Sequence, residues 1–74
     1  MRTYTAVVMS DEDGGYVVCV PAIRGCFTQG RTVAECRERA AEAIEVHVAG
    51  LEADGEPVSE EVGMPRLLTV TVDE

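Results

Sequence analysis

The stretch TYTAVVMSDEDGGYVVCV, residues 3–20, decides the fold because it encodes two strands and the turn between them. Thr3 to Met9 and Tyr16 to Val20 are both rich in β-branched and aromatic residues, which favour strands. Ser10 to Gly15 is a cluster of turn formers. Pro21 closes the second run, since it lacks a backbone N–H and fixes φ. We therefore predict an antiparallel hairpin.

Working outward toward the C-terminus, the sequence predicts a third strand and then a helix. Ala22 to Gly25 is predicted to be a loop, and Cys26 to Gln29 a short strand that ends at Gly30. Three strands joined by such short connections form an antiparallel meander. Thr32 and Glu35 have capping-box spacing, in which a hydroxyl and a carboxylate each accept a free backbone N–H at a helix start.

The predicted helix is amphipathic, because its apolar residues recur at spacings of three and four. Asp54-Gly55 supplies a stop signal, although Gly50 could end the helix one turn earlier. The many small residues of the inner face allow the helix backbone to approach a sheet closely. The predicted inner face comprises Val33, Cys36, Ala40, Ala43, Ile44, His47, Val48 and Leu51.

The last part of the chain predicts a loop and a fourth strand. Glu56 to Pro65 mixes proline, glycine and acidic residues, which is typical of a surface connection. Leu67 to Val72 follows as a strand in which Leu68, Val70 and Val72 share one face. The right-handed crossover preference places this strand beside the first strand and parallel to it.

The resulting fold class is α+β with the order β-β-β-α-β, in one domain over residues 1–74. One helix can cover only one face of the sheet. The other face would expose apolar side chains to water unless a second subunit or a partner covers it. We therefore expect a homo-oligomer, as is common for chains too short to build a large core.

Charge and composition narrow the classes of partner. The chain has fourteen acidic residues, six arginines and no lysine, which gives a net charge of −8. This charge repels nucleic-acid phosphates and favours binding to a basic protein surface. The same charge could serve solubility alone. No apolar stretch reaches the about twenty residues of a membrane span, and the N-terminus is unlike a secretion signal, so we expect a cytoplasmic protein.

Few residues suggest chemistry. Asp11, Glu12 and Asp13 could hold a hard cation, but they equally keep a hairpin turn polar, and we expect no metal and no cofactor. His47 lies on the inner helix face without a nucleophile motif, so we expect it to be packed rather than catalytic. Arg24 and Arg31 could bind carboxylates of another chain or be solvated. No catalytic residue is predicted.

Three cysteines without a CxxC pair indicate neither a disulfide framework nor a zinc site; the reading we favour is buried or half-buried free thiols.

Five pieces of the sequence, in the same order and spacing, resemble the HicB family of bacterial and archaeal antitoxins. The pieces are the hairpin DEDGGYV at 11–17, Pro21, the run GCFTQGRT at 25–32, the Ala/Glu-rich helix and the tetrapeptide DGEP at 54–57.

The resemblance implies a partly degenerate ribonuclease H-like fold. It also implies that the chain binds and neutralises a HicA-type toxin, a small basic nuclease that cleaves messenger RNA, by occluding its RNA-binding and catalytic surface. Asp11, Glu12, Asp13, Arg24 and Arg31 are the predicted partner-binding residues. Many family members carry a further DNA-binding domain that residues 1–74 do not contain, so autoregulation by DNA binding is not carried over to this chain. The net negative charge predicts no direct nucleic-acid binding by this chain.

Two other functions stay open at this point. The first is a stand-alone homo-oligomeric binding protein without a toxin partner. The second is a metal-dependent nuclease, as the ribonuclease H-like relation suggests, which would need convergent carboxylates to hold two cations. Active enzymes of that type carry an Asp in the middle of the first strand, where this chain has Ala6, Val7 and Val8.

Overall fold

A computed structural model describes residues 1–73 and contains a three-stranded sheet followed by one helix. The elements are β1 (Val7–Ser10), β2 (Tyr16–Cys19), β3 (Phe27–Gly30) and α1 (Val33–Ala53). The strands lie in the order β1-β2-β3, and both pairings are antiparallel. The predicted α+β class, meander and helix are thus confirmed, although β1 begins four residues later than the sequence suggested.

The turn between β1 and β2 is closed by its own backbone. The Asp11 N–H donates to the Gly15 carbonyl at 3.0 Å, and the Gly14 N–H donates to the Asp11 carbonyl at 3.1 Å. Gly14 and Gly15 have φ values of 93° and 77°, which residues with a side chain rarely adopt. The glycine pair therefore permits the turn that aligns the two strands.

The register assigns each strand residue to one of two faces. Val18 is fully buried and pairs with Val8 of β1 and Thr28 of β3, so these three side chains point to the same face. The helix packs on this face, against β3 and β2. The alternate residues point away from α1.

The helix approaches β3 very closely. Only Arg31 and Thr32 connect β3 to α1, and Gly30 lies directly against the first turn of the helix. A Cβ atom at Gly30 would stand 2.9 Å from the Cys36 backbone nitrogen and 3.0 Å from its Sγ. The absence of a side chain at this position is therefore what allows the contact.

Both helix ends follow the predicted signals. The Glu35 N–H donates to Thr32 Oγ1 at 3.0 Å, and Glu35 Oε1 accepts the Arg31 N–H at 3.2 Å. At the other end the Glu56 N–H donates to the Leu51 carbonyl, and the Gly55 N–H donates to the Glu52 carbonyl. This pair of bonds with a positive φ at Gly55 is a Schellman motif, and the helix continues through Gly50.

The core consists of two small apolar clusters between the helix and the sheet. In the first, Val18 packs with Cys36 and Ala40, and Tyr16 covers its edge. The second surrounds the loop before β3, and Tyr4 and three helix residues cover it. Val33 was predicted on the inner face but is 56% exposed, because it lines an open groove between the helix and β1 that no other element fills in the described residues. The second cluster comprises Val20, Ile23, Cys26, Tyr4, Ala43, Ile44 and Val48.

The predicted fourth strand is wrong for this chain as the structure describes it. Residues 54–73 contain neither helix nor strand, and Leu68, Val70 and Val72 are 75–84% exposed. The preceding segment is instead held near the chain start, where the Tyr4 hydroxyl donates to the Ser59 carbonyl. A strand exists only where its backbone finds a neighbouring strand, and this segment finds none within residues 1–73.

The ribonuclease H-like expectation is likewise not supported. It required a fourth strand parallel to β1, whereas the sheet over residues 1–73 has three antiparallel strands. The outer edge of β1 therefore carries no strand in the described part of the chain. No helix among these residues has the length and apolar composition to cross a membrane.

Candidate functional site

The sheet face that points away from α1 is the main unoccupied surface. We call it the open face. Its exposed large apolar side chains are Met9, 52% exposed, and Phe27, 64% exposed, and the other apolar members are half-buried. An exposed aromatic ring and an exposed flexible thioether on the same face of a sheet are typical of a protein contact surface. The open face comprises Val7, Met9, Val17, Cys19, Phe27 and Gln29.

The acidic residues lie at the tip of the β1–β2 hairpin. Asp11 is half-buried, and its Oδ1 accepts the Asp13 N–H at 3.3 Å, which braces the turn. Glu12 and Asp13 are exposed. One carboxylate thus serves the turn itself, whereas the other two project negative charge at one end of the open face.

A cleft of about 530 Å³ separates this hairpin tip from the start of the helix. Asp11, Asp13 and Arg31 all line it, so the structure brings three of the five predicted contact residues together. Glu35 and Arg39 from the first turns of α1 line the same cleft. Glu12 does not line it.

Arg24 lies elsewhere. It lines a separate groove of about 330 Å³ together with Val46 and His47 of the helix. Arg24 precedes β3 and Arg31 follows it, and four strand residues span about 13 Å at about 3.3 Å each. The two arginines therefore do not form one site.

Two titratable side chains, His47 and Cys26, lie at least partly buried in the fold. His47 is half-buried, and its Nδ1 lies 2.9 Å from the Ala43 carbonyl oxygen, which can only accept, so Nδ1 carries the proton. Burial, and secondarily the nearby Cys19, raise the pKa of the Cys26 thiol. Within residues 1–73 no three His, Cys, Asp or Glu side chains converge as metal ligands would.

Two features of this surface were not assigned from the sequence. The exposure of Phe27 could have been found by following the alternation from its neighbour Cys26, which is 1% exposed. Arg39 also lines the cleft. The capping box starts the helix only two residues after β3, and this short connection places the first helix turns, which include Arg39, beside the hairpin.

Comparison with known proteins identifies the family. Residues 4–71 match the HicB-like antitoxin of bacterial toxin-antitoxin systems. A UPF0150 protein of Thermoplasma acidophilum is 46% identical over 55 residues, covering 74% of this chain and 80% of the relative. A UPF0150 protein of Synechocystis is 35% identical over 69 residues, covering 93% and 87%. The chain, with its meander, capped helix and open apolar sheet face, belongs to the HicB-like antitoxin family.

Proposed function

We propose that this chain neutralises a small basic, messenger-RNA-cleaving toxin of the HicA type by covering the toxin's RNA-binding and catalytic surface. The observation that carries the proposal is the open face, an exposed apolar sheet surface with free carboxylates at one end. Family membership supplies the class of partner, a toxin. The HicA type is our proposal from the sequence motifs.

The open face has the composition of a protein contact surface. Met9 and Phe27 are large, exposed and supported from below by a sheet whose other side is packed. Side chains on a rigid strand lose little conformational freedom when they are buried, which favours tight contact. Phe27 lies at the start of the edge strand β3, and among the large apolar side chains of this face it has the most exposed surface to bury in a contact.

Charge supports the same partner. The net charge of −8 and the exposed carboxylates of Glu12 and Asp13 attract a basic surface and accelerate encounter. A nuclease that binds RNA needs such a basic surface for phosphates. An acidic protein seated there would exclude RNA without any chemical step, so inhibition proceeds by occlusion. We propose that this occurs in the cytoplasm and without direct nucleic-acid binding by this chain.

The first test isolates the open face. A HicA-type protein recovered with the tagged chain from its source cells is purified, and calorimetry measures its affinity for the Phe27→Asp variant. We expect at least a hundredfold loss, since a large exposed aromatic side chain becomes a charge in a desolvated contact. Val46→Asp is the matched control, because Val46 is 69% exposed on the helix and should bind as the unchanged chain does.

Recovery of the chain alone, with no small basic protein, counts against the toxin proposal. Equal affinity of the Phe27→Asp variant and the unchanged chain counts against the open face as the site. The adjacent gene is a cheap first indication, since a short basic reading frame there supports the proposal.

The second test separates charge from contact. In the Glu12→Lys, Asp13→Lys double variant we expect a slower association rate and a weaker dependence of that rate on salt, with a smaller change in dissociation. Phe27→Asp should act mainly on dissociation. Stopped-flow or surface-plasmon measurements at several salt concentrations distinguish the two effects, and unchanged association would contradict the electrostatic part.

A stand-alone homo-oligomeric binding protein is the second candidate. The observation that favours self-association is the exposed apolar segment at Leu67–Val72, which no part of residues 1–73 covers. Self-association and toxin binding are compatible, because this segment is distinct from the open face.

A further inference from the structure

The segment at Leu67–Val72 carries large apolar side chains that the described part of the chain leaves exposed. Leu67 and Leu68 are 90% and 84% exposed, and Val70 and Val72 are each 75% exposed. The alternating pattern is that of a strand with one apolar side, yet the segment is not part of the sheet. A surface of this kind on a small protein indicates that another chain covers it.

The shape of the chain shows that the segment extends from the body. The radius of gyration is 14.1 Å, and the longest dimension is 44 Å. A compact chain of this length would have a radius of gyration of about 11 Å. The larger radius of gyration agrees with a segment that leaves the sheet and helix without folding back onto them. We call this segment, Leu67–Val72, the arm.

A groove of fitting character lies on the helix side of β1. It has a volume of about 420 Å³ and runs between β1 with its preceding residues and the helix. Ala6, Val8, Ala40 and Ile44 are among its apolar lining residues. The helix packs on β2 and β3, so a strand added at the free edge of β1 would fill the remaining space.

The hinge before the segment favours an extended arm. Ser59 and Glu61 are held at the chain start by bonds to Tyr4 and Thr5, and only residues 62–66 separate this anchor from the arm. Pro65 within this hinge biases the backbone of Met64 toward an extended conformation. No residue of 67–72 lines the groove of its own chain, so the apolar side of the arm is left open to a second molecule.

The charges at the groove fit the acidic end of a second copy of this chain. Arg2 and Arg37 line the groove, and they are two of only six basic residues in the chain. In the sequence, the acidic residues Asp73 and Glu74 follow directly after Val72. A second copy of this chain therefore supplies both the apolar residues and the acidic residues that the groove would accept.

We propose that two copies of this chain exchange these arms, so that Leu67–Val72 of each copy adds a strand to the β1 edge of the other. Leu68, Val70 and Val72 enter the groove, and the arm's backbone pairs with the unpaired edge of β1. The contact is the same in both directions, so it closes at a dimer and leaves no β1 edge free. This inference goes beyond the proposed function and holds with or without a toxin.

The oligomeric state is tested first, on the full chain by light scattering. We expect a mass about twice 7.9 kDa. The Leu68→Asp, Val70→Asp double variant should be monomeric with an unchanged helix signal in circular dichroism. The matched control, Thr69→Asp with Thr71→Asp, adds the same charge on the other side of the arm and should stay dimeric.

The exchange itself is tested by isotope-filtered nuclear Overhauser spectroscopy on a mixture of labelled and unlabelled full-length chains. Contacts between the Val70 and Val8 methyl groups across the two molecules would support the proposal. A monomer overturns it, as does the same contact found only within one molecule. A dimer whose contacts join Met9 and Phe27 would place the interface on the open face and overturn it too.

Discussion

Gly30 is the residue at which the helix comes closest to the sheet. A side chain there would press against the Cys36 backbone nitrogen, which cannot move without displacing the first helix turn. We expect Gly30→Ala to lower the free energy of unfolding by about 1–3 kcal/mol through overpacking. Denaturant titration followed by circular dichroism measures this change.

Gly50 provides the matched control for this prediction. It lies in α1, and a Cβ atom there would meet nothing within 4 Å. Gly50→Ala should raise the free energy of unfolding by up to about 1 kcal/mol, because alanine favours the helix. If the two substitutions changed stability in the same direction, close packing at Gly30 would not be the reason for its glycine.

Cys19 differs from the other two cysteines in its surroundings. It is half-buried on the open face, whereas Cys26 and Cys36 are each 1% exposed and burial raises the pKa of Cys26. Only the thiolate reacts, so we expect one fast-reacting thiol toward an aromatic disulfide reagent in the native protein. Cys19→Ser should remove that fast phase, and its persistence would contradict the assignment of Cys19 to an accessible face.

At the scale of elements, the helix depends on its first cap. Thr32 Oγ1 accepts the Glu35 N–H at 3.0 Å, and the capped turn lines the hairpin cleft. Thr32→Ala should lower the free energy of unfolding by about 1 kcal/mol, and Thr32→Ser should restore it. Thermal unfolding measures both variants, and equal midpoints for alanine and serine would show that the hydroxyl is not the cap.

Local signals account for the elements that the sequence predicted well. Turn residues at 10–15, the Thr32–Glu35 spacing and the Asp54-Gly55 stop act within a few residues, so their effect can be read directly from the sequence. The fourth strand could not be settled in this way. Alternation at Leu67–Val72 shows which side chains share a face, but pairing requires a distant edge, and the sequence does not say whose edge it is.

The same distinction applies to the predicted contact residues. Asp11, Asp13 and Arg31 line one cleft because a tight turn and a two-residue connection place them on its two sides. Arg24 is close to Arg31 in sequence but lies beyond the other end of β3. The hairpin part of the candidate site was thus predictable, whereas the grouping of the arginines depended on strand length and direction.

The anchor that precedes the arm is sensitive to acid. The Thr5 hydroxyl donates to Glu61, and its N–H donates to Glu61 Oε2 at 3.0 Å, so these bonds lower the pKa of the Glu61 carboxyl. A lowered pKa in the folded state means that the contact stabilises the anchor above the ordinary carboxyl pKa. That contribution is lost as the pH falls through the lowered pKa.

Titration of the Glu61 carboxyl by nuclear magnetic resonance tests this anchor. We expect an inflection below the ordinary glutamate value in the unchanged chain, and a return toward that value in Thr5→Val. An unchanged Glu61 titration in Thr5→Val would show that the hydroxyl does not hold the segment.

At the scale of the whole molecule, two separate surfaces are proposed to bind two different partners. The open face with its hairpin carboxylates is proposed to cover a basic toxin, and the arm with the β1 groove is proposed to join two copies. The core beneath them is small and consists of two clusters. Binding of either kind stabilises such a chain by removing exposed apolar surface from water.

The most direct test of the central claim is a methyl nuclear magnetic resonance map of the chain in complex with its purified toxin. We expect the methyl groups of Met9 and Val17, on the open face, to change shift and to receive magnetisation from the toxin. The Val46 methyl groups on the helix should be unaffected. Contacts confined to the helix, with Met9 and Val17 unchanged, would contradict the claim that this protein works by covering its partner with the open face.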